Sequence, residues 1–195
     1  AQTAKEIFNL SSLTQVTSEM RRIAKTTNFG IIYGQTVFGL ANTLNVPRKE
    51  AERIIYRFKN RYQGIHSYIA KTLDEAREKG YVETLFHRRR PLPDLHHSVR
   101  AIKEFSERIA INTPLQGTAA DLIKLAMVHI EQWIQKQHSK ARMLIQVHDE
   151  LVFEIPESEV VETIPAIQHI METVWELKVP LKVDVNTGRT WMEAK

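Results

Sequence analysis

The sequence predicts an α+β fold dominated by helices, and three observations carry that prediction. Apolar residues recur at spacings of three and four through most of the chain, the period of a helix with one buried face. Only two stretches, 81–92 and 143–155, read as apolar runs around a polar turn, the pattern of a hairpin. The composition is that of an ordinary globular chain: 195 residues, 43% hydrophobic and 26% charged, long enough for one sizeable core or two small subdomains sharing one.

The elements follow in order. Thr17 and Ser18 stand where an N-cap belongs, ahead of a helical run over 19–33 that Gly34 can close. A short segment at 38–44 leads to Pro47, well placed in a first helical turn. The helix that follows carries Ala51, Ile54, Ile55, Phe58 and Tyr62 at core-facing spacing, and the next, over 65–79, repeats the pattern with Tyr68, Ile69, Leu73 and Ala76 before Gly80. Residues 81–92 form the first hairpin, with His87 and Arg88 to Arg90 in its turn region. A polar-rich helix covers 99–112, and Pro114 with Gly117 marks a bend or break. Residues 121–135 are apolar nearly all round, which predicts a buried helix. The second hairpin spans 143–155. A last helix is expected over roughly 159–177, where Pro165 either kinks it or marks its start, and 181–185 reads as a short strand.

Charge is unevenly distributed. Residues 1–120 hold 19 Lys and Arg against 11 Asp and Glu, a net of +8; residues 121–195 hold 8 against 12, a net of −4; the sum is the chain's +4. A basic half suggests a polyanionic partner and an acidic half suggests bound cations, although solvated helix faces give the same counts. The absence of cysteine excludes disulfide scaffolds, thiolate zinc sites and cysteine nucleophiles. No run of 18 apolar residues occurs, so no membrane partner is expected. The first ten residues lack the pattern of a secretory signal, which favours a cytosolic setting.

Three constellations carry chemistry. Arg21, Lys25, Phe29 and Tyr33 are four apart, and each step advances about 40° around a helix, so all lie in one sector. Two cations followed by two rings suit an extended anion whose attached base or sugar packs on the aromatics. The same spacing also fits snorkelling cations over buried rings. Gly30 and Gly34 beside Tyr33 favour the binding role, since they admit close approach to the backbone. Arg108, Asn112 and Gln116 repeat the spacing with three hydrogen-bond donors, matching the acceptors every base pair presents in the minor groove; an exposed polar face is the other reading. Finally, the turn Val147-His148-Asp149-Glu150 sets two carboxylates between apolar strands, hard oxygen donors of the kind that bind Mg²⁺, or else an ordinary polar turn. There is no P-loop, dinucleotide fingerprint or G-x-S-x-G serine motif. His66, His87, His96, His97 and His148 have no metal-motif spacing.

R-x3-K-x3-F-x3-Y-G, as Arg21, Lys25, Phe29, Tyr33 and Gly34, resembles the fingers-helix motif of family A DNA polymerases. The segment RIAINTPLQGTAADLIK and the hairpin H-D-E resemble two further motifs of that family, in its order. The resemblance implies DNA-templated nucleotidyl transfer from dNTP to a primer 3′-hydroxyl. It implies that Arg21 and Lys25 hold the incoming nucleotide's phosphates and so take part in catalysis. Phe29 is then beside the deoxyribose, where Phe rather than Tyr implies discrimination against dideoxynucleotides, and Tyr33 is beside the templating site. Arg108, Asn112 and Gln116 touch primer and template. Asp149 is a catalytic metal ligand, Glu150 supports the metal site, and His148 lies near the primer terminus. Residues 1–80 become a fingers-like helical region and 81–195 the fingers-to-palm hairpin and C-terminal palm.

The resemblance also shows departures. His87 occupies a turn position where the family usually has Gly, while Arg88 to Arg90 remain able to grip phosphates. The family's other essential Asp lies upstream in a D-Y-S-Q-I-E-L-R-like motif that this sequence lacks. Two-metal chemistry needs carboxylates from more than one element, so the chain reads as part of a larger polymerase, inactive alone, whose two-Mg²⁺ site is completed by a carboxylate outside it. The expected partners are primer-template DNA, dNTPs and the remainder of the polymerase chain, in a bacterial-type cytoplasm. A single-subunit RNA polymerase shares parts of two motifs, but Phe29 argues against it; a noncatalytic nucleic-acid-binding module is the other alternative.

Overall fold

Side-chain caps and left-handed residues set the helix boundaries. The computed structural model describes residues 1–194 apart from residue 9. Helix α1 (Gln2–Ile7), which the sequence reading did not anticipate, precedes α2 (Ser18–Ile32). Thr17 caps α2, its hydroxyl accepting from Met20 N at 3.2 Å, and Thr36 caps α3 (Val37–Leu44) through Gly39 N at 3.1 Å. Pro47 is the N-cap of α4 (Arg48–Arg61), and α5 (Gln63–Lys79) ends at Gly80 with φ of 77°. Strands β1 (Tyr81–Glu83) and β2 (Arg89–Pro91) pair antiparallel, Val82 opposite Arg90. Helix α6 (Arg100–Gln137) leads to β3 (Arg142–Val147) and β4 (Glu150–Glu154), antiparallel with Gln146 opposite Leu151 and an irregularity between Met143 and Ile145; α7 (Val160–Glu172) follows.

By packing, the chain divides into two compact units: Ala1–Glu83 with His87–Pro114, and Thr84–Phe86 with the chain from Leu115 onward. In the first, Ile31 of α2, Leu40 and Ala41 of α3, and Ala51, Ile54 and Phe58 of α4 close one core, while Ala76, Val82, Leu92, Leu95 and Ala110 close another. In the second, Ala126, Ile130 and Ile134 of α6 meet Ala141, Ile167 and Val174, with Met143, Leu151 and Phe153 of the hairpin packed alongside. Leu85 N also donates to Thr118 Oγ1 at 2.9 Å there, and the Phe86 ring meets Trp175 edge-on.

Beyond α1, the structure departs from the elements and burial expected of the sequence at five places. No break follows residue 112: α6 runs 38 residues with Pro114 inside it. Proline removes one N–H and crowds the carbonyl four residues back, but Ala110 on one side and Ala126 on the other are each buried in a core that holds its own stretch of helix. Residues 121–135 are not buried all round; Ala126, Ile130 and Ile134 are, whereas Val128 is 53% exposed. Tyr68 lies at the surface rather than in the core of α5. Helix α7 begins at Val160, runs through Pro165 and ends at Glu172, short of residue 177. Residues 181–185 are not a strand: Val183 bonds to side chains, its N to Glu172 Oε1 at 3.0 Å and its carbonyl from Gln168 Nε2 at 3.0 Å.

Candidate functional site

Helix α2 buries Ala24, Thr27 and Ile31, so Phe29 lies opposite its core, Lys25 and Arg21 run back along one exposed flank, and Tyr33 is its C-cap. Arg21 and Lys25 are exposed. Glu19 binds Arg22, through Nε at 2.9 Å, rather than Arg21. That bond holds the Glu19 carboxyl below its ordinary range, and neither Arg21 nor Lys25 is matched by a carboxylate among the described residues. Lys25 Nζ stands 5.9 Å from the Phe29 ring centre, within cation–π range. The Phe29 and Tyr33 rings stack at 5.9 Å and 14°. Phe29 is 47% exposed. The rings are therefore not buried beneath the cations, as the snorkelling alternative requires; they extend the cation row as a surface.

Lys25, Phe29 and Tyr33 line an open groove of about 700 Å³ whose wall also includes Gln35, Thr43 and Arg108; Arg21 stands one turn before Lys25, outside that lining. The two glycines serve the groove differently from the sequence expectation, because what approaches them is the chain itself. Gly34 has φ of 79°, and a Cβ there would meet Arg108 Cγ at 3.3 Å. A Cβ on Gly30 would collide with the Gln35 carboxamide. Gln35 Nε2 donates to Thr43 Oγ1 at 2.8 Å, and Gln35 N donates to the Gly30 carbonyl at 2.7 Å. Gln35 and Thr43 thus shape the groove wall although no motif singled them out. The only sequence signal was a polar residue directly after the Tyr33-Gly34 pair.

Arg108, Asn112 and Gln116 all lie on α6, without the disruption at Pro114 that their spacing left open. Arg108 and Asn112 belong to the first unit and Gln116 to the second. Arg108 is half-buried with its guanidinium carbon 5.8 Å from the Phe105 ring centre. Asn112 is half-buried, its Oδ1 enclosed without a hydrogen-bond partner among the described residues, and Gln116 is exposed.

In the second unit, His148 and Asp149 form the two-residue turn between β3 and β4, and His148, Asp149 and Glu150 are all exposed. His148 has φ of 54°, in the left-handed region that disfavours a side chain. Gln146 Nε2 donates to the His148 carbonyl, pinning the turn from one strand. No hydrogen bond or ion pair among the described residues engages either carboxylate. Adjacent unengaged carboxylates are the hard-oxygen donors Mg²⁺ prefers, but no set of three potential ligands gathers among the described residues. The donor chemistry fits part of a metal site.

The first hairpin also keeps its departure. His87 has φ of 61°, so the turn accepts the left-handed conformation without glycine. Glu83 receives Arg89 Nε at 2.8 Å and lies 3.4 Å from His87 Nδ1, and the two neighbours, Arg89 foremost, hold its carboxyl below the usual range.

Among known proteins, the family model described as DNA polymerase family A matches residues 1–193. DNA polymerase I of Lactococcus lactis subsp. cremoris is 44% identical over 193 residues, and that of Geobacillus stearothermophilus is 46% identical over 193. The thermostable DNA polymerase I of Thermus thermophilus is 46% identical over 194. Each match covers 99% or more of this chain, and the chain spans 22–23% of the relatives' length. Among solved structures, the POL domain of Pol1 from M. smegmatis, in complex with DNA primer-template and dNTP, superposes with a TM-score of 0.94 at 39% identity, over 98% of this chain and 34% of that one. The chain belongs to DNA polymerase family A. Polymerases of this family are metal-dependent. No helix among the described residues is long and apolar enough to cross a membrane.

Proposed function

We propose that this chain is the nucleotide-binding and primer-template-contacting part of a DNA-templated DNA polymerase, contributing one metal-ligand motif to its active site. The observation that carries the reading is the face of α2: two cations without carboxylate partners among the described residues, then two stacked and accessible rings, with Lys25 and both rings lining an open groove. Arg21 offers a planar fork and Lys25 a point charge for the triphosphate. Phe29 presents its ring to the deoxyribose, and Tyr33, continuing the stack, borders the templating position. Arg108, Asn112 and Gln116 donate to minor-groove acceptors of the primer-template, which accepts any correctly paired terminus because those acceptors occur in every pair. His148, held forward on its turn, stands by the primer end.

In this reading the primer 3′-hydroxyl attacks the α-phosphate of the dNTP and pyrophosphate leaves toward Arg21 and Lys25, whose charge offsets that accumulating on it. Asp149, with Glu150 in support and a further carboxylate outside this chain, would hold Mg²⁺, which would supply charge neutralisation to the reaction. Residues 1–80 serve as fingers and 81–195 as fingers-to-palm hairpin and palm. The bacterial relatives support a role in DNA replication and repair in the cytoplasm.

Lys25→Ala tests the reading. Its expected effect is a loss of dNTP affinity of about tenfold or more, from one charge-assisted phosphate contact, with DNA affinity largely kept. The measurements are dNTP binding and primer-template binding by the same protein. Equal loss of both would instead mark α2 as part of a general nucleic-acid surface.

A further inference from the structure

Helix α4 reads RKEAERIIYRFKNR: six cations against two carboxylates, a net of +4, equal to that of the whole chain. Its core side is Ala51, Ile54 and Phe58. With about 100° per residue, the side opposite those three is centred on Lys49, Arg53, Tyr56 and Asn60, with Arg57 adjoining. All five are exposed, and Tyr56 is 67% exposed. Arg48 reaches Glu52 at 3.4 Å and Arg61 reaches Glu6 at 3.7 Å. Lys49, Arg53 and Arg57 have no carboxylate partner among the described residues, and no carboxylate occurs in the helix after Glu52.

An ordinary solvated face mixes signs, and the next helix shows what that looks like. In α5, Lys71 and Lys79 pair with Glu75, and Arg77 pairs with Asp74 and with Glu107 of α6. Three unmatched cations at four-residue spacing around an exposed ring are a different arrangement. Cations at that spacing follow a phosphate backbone, and a tyrosine standing between them offers a face on which an unpaired base stacks. A duplex uses only the first of these features; a single strand uses both.

We propose that the outer face of α4, through Lys49, Arg53, Tyr56 and Arg57, is a second nucleic-acid contact, and that it takes a single strand. This surface is separate from the groove of α2, on the far side of α4 from the core that α2 shares with it. In a polymerase, the strand available to it is the template not yet copied.

The test is fluorescence anisotropy of this chain with a labelled oligothymidylate and with a blunt duplex of equal length, across a salt series. Replacing Lys49, Arg53 and Arg57 together by alanine is expected to weaken single-strand binding at least tenfold at moderate salt. It should also lower the slope of log K against log salt by about 2, since each phosphate contact contributes about 0.7 on a single strand. Tyr56→Ala is expected to weaken the single strand about tenfold while leaving the blunt duplex nearly unchanged. Circular dichroism melting checks the fold, and a triple glutamine variant replaces the alanine one should that one fail to fold. Unchanged affinity and slope in the triple variant would overturn the proposal, as would a Tyr56→Ala protein that binds both nucleic acids like the parent. The Lys25→Ala measurement with dNTP separates the two readings: it can fail while the α4 result stands, and the reverse.

Discussion

At the scale of single residues, Gly30 and Gln35 behave as one unit. Alanine in place of a helical glycine ordinarily stabilises by about 0.5–1 kcal/mol. Here a methyl at 30 must displace the Gln35 carboxamide and break its bond to Thr43, and a side-chain hydrogen bond is worth about 0.5–1.5 kcal/mol, with crowding added. Gly30→Ala is therefore expected to destabilise by about 1 kcal/mol in the parent, yet to stabilise in a Gln35→Ala background. Thermal unfolding of the four proteins of that cycle decides it; the same sign in both backgrounds would dissolve the coupling. Residue types that meet on one helix face were legible in the sequence, because a period of 3.6 fixes Arg21, Lys25 and Phe29 relative to one another. Which of the adjacent arginines stays unengaged was not. Glu19 takes Arg22, three residues on, and the choice depends on side-chain geometry. The left-handed backbone at His148 was equally hidden, since nothing in His-Asp announces it as Asn-Gly would.

At the scale of elements, α2, α4, α5 and both hairpins were legible because each pairs a strong period with a recognisable end: Thr17, Pro47, Gly80. The misreadings cluster where local chemistry is overruled by distant contacts. Pro114 reads as a bend or break and Pro165 as a kink or a helix start, but each lies within a helix anchored by packing. Residues 181–185 have a strand's composition, yet side chains of α7 take the backbone groups of Val183 at their centre. The buried stripe of α6 is narrower than its apolar sequence suggested, so the second core depends on few positions. Ile130, fully buried at its centre, is expected to cost about 2–5 kcal/mol when cut to alanine. Val128→Ala, two residues away and 53% exposed, should cost well under that. Denaturant unfolding of both variants measures the contrast; equal costs would mean the stripe is misidentified.

At the scale of the whole molecule, the face of α2 proposed to hold phosphates lies in the first unit, and the carboxylate turn lies in the second. Among the described residues no third ligand joins Asp149 and Glu150, so this chain by itself is expected to give no primer extension with Mg²⁺ and dNTPs. Template-dependent incorporation in an assay free of contaminating polymerase would show that the two carboxylates suffice. The sequence by itself determined the family, the order of the three motifs and the imbalance of charge, because each is a property of residue type and spacing along the chain. Tertiary structure alone decided that the Phe29 and Tyr33 rings are accessible, that Gln35 fills the space Gly30 leaves, and that α4 turns unmatched cations away from its core. Those outcomes depend on which atoms compete for the same space and the same partners, and that competition exists only once the chain has folded.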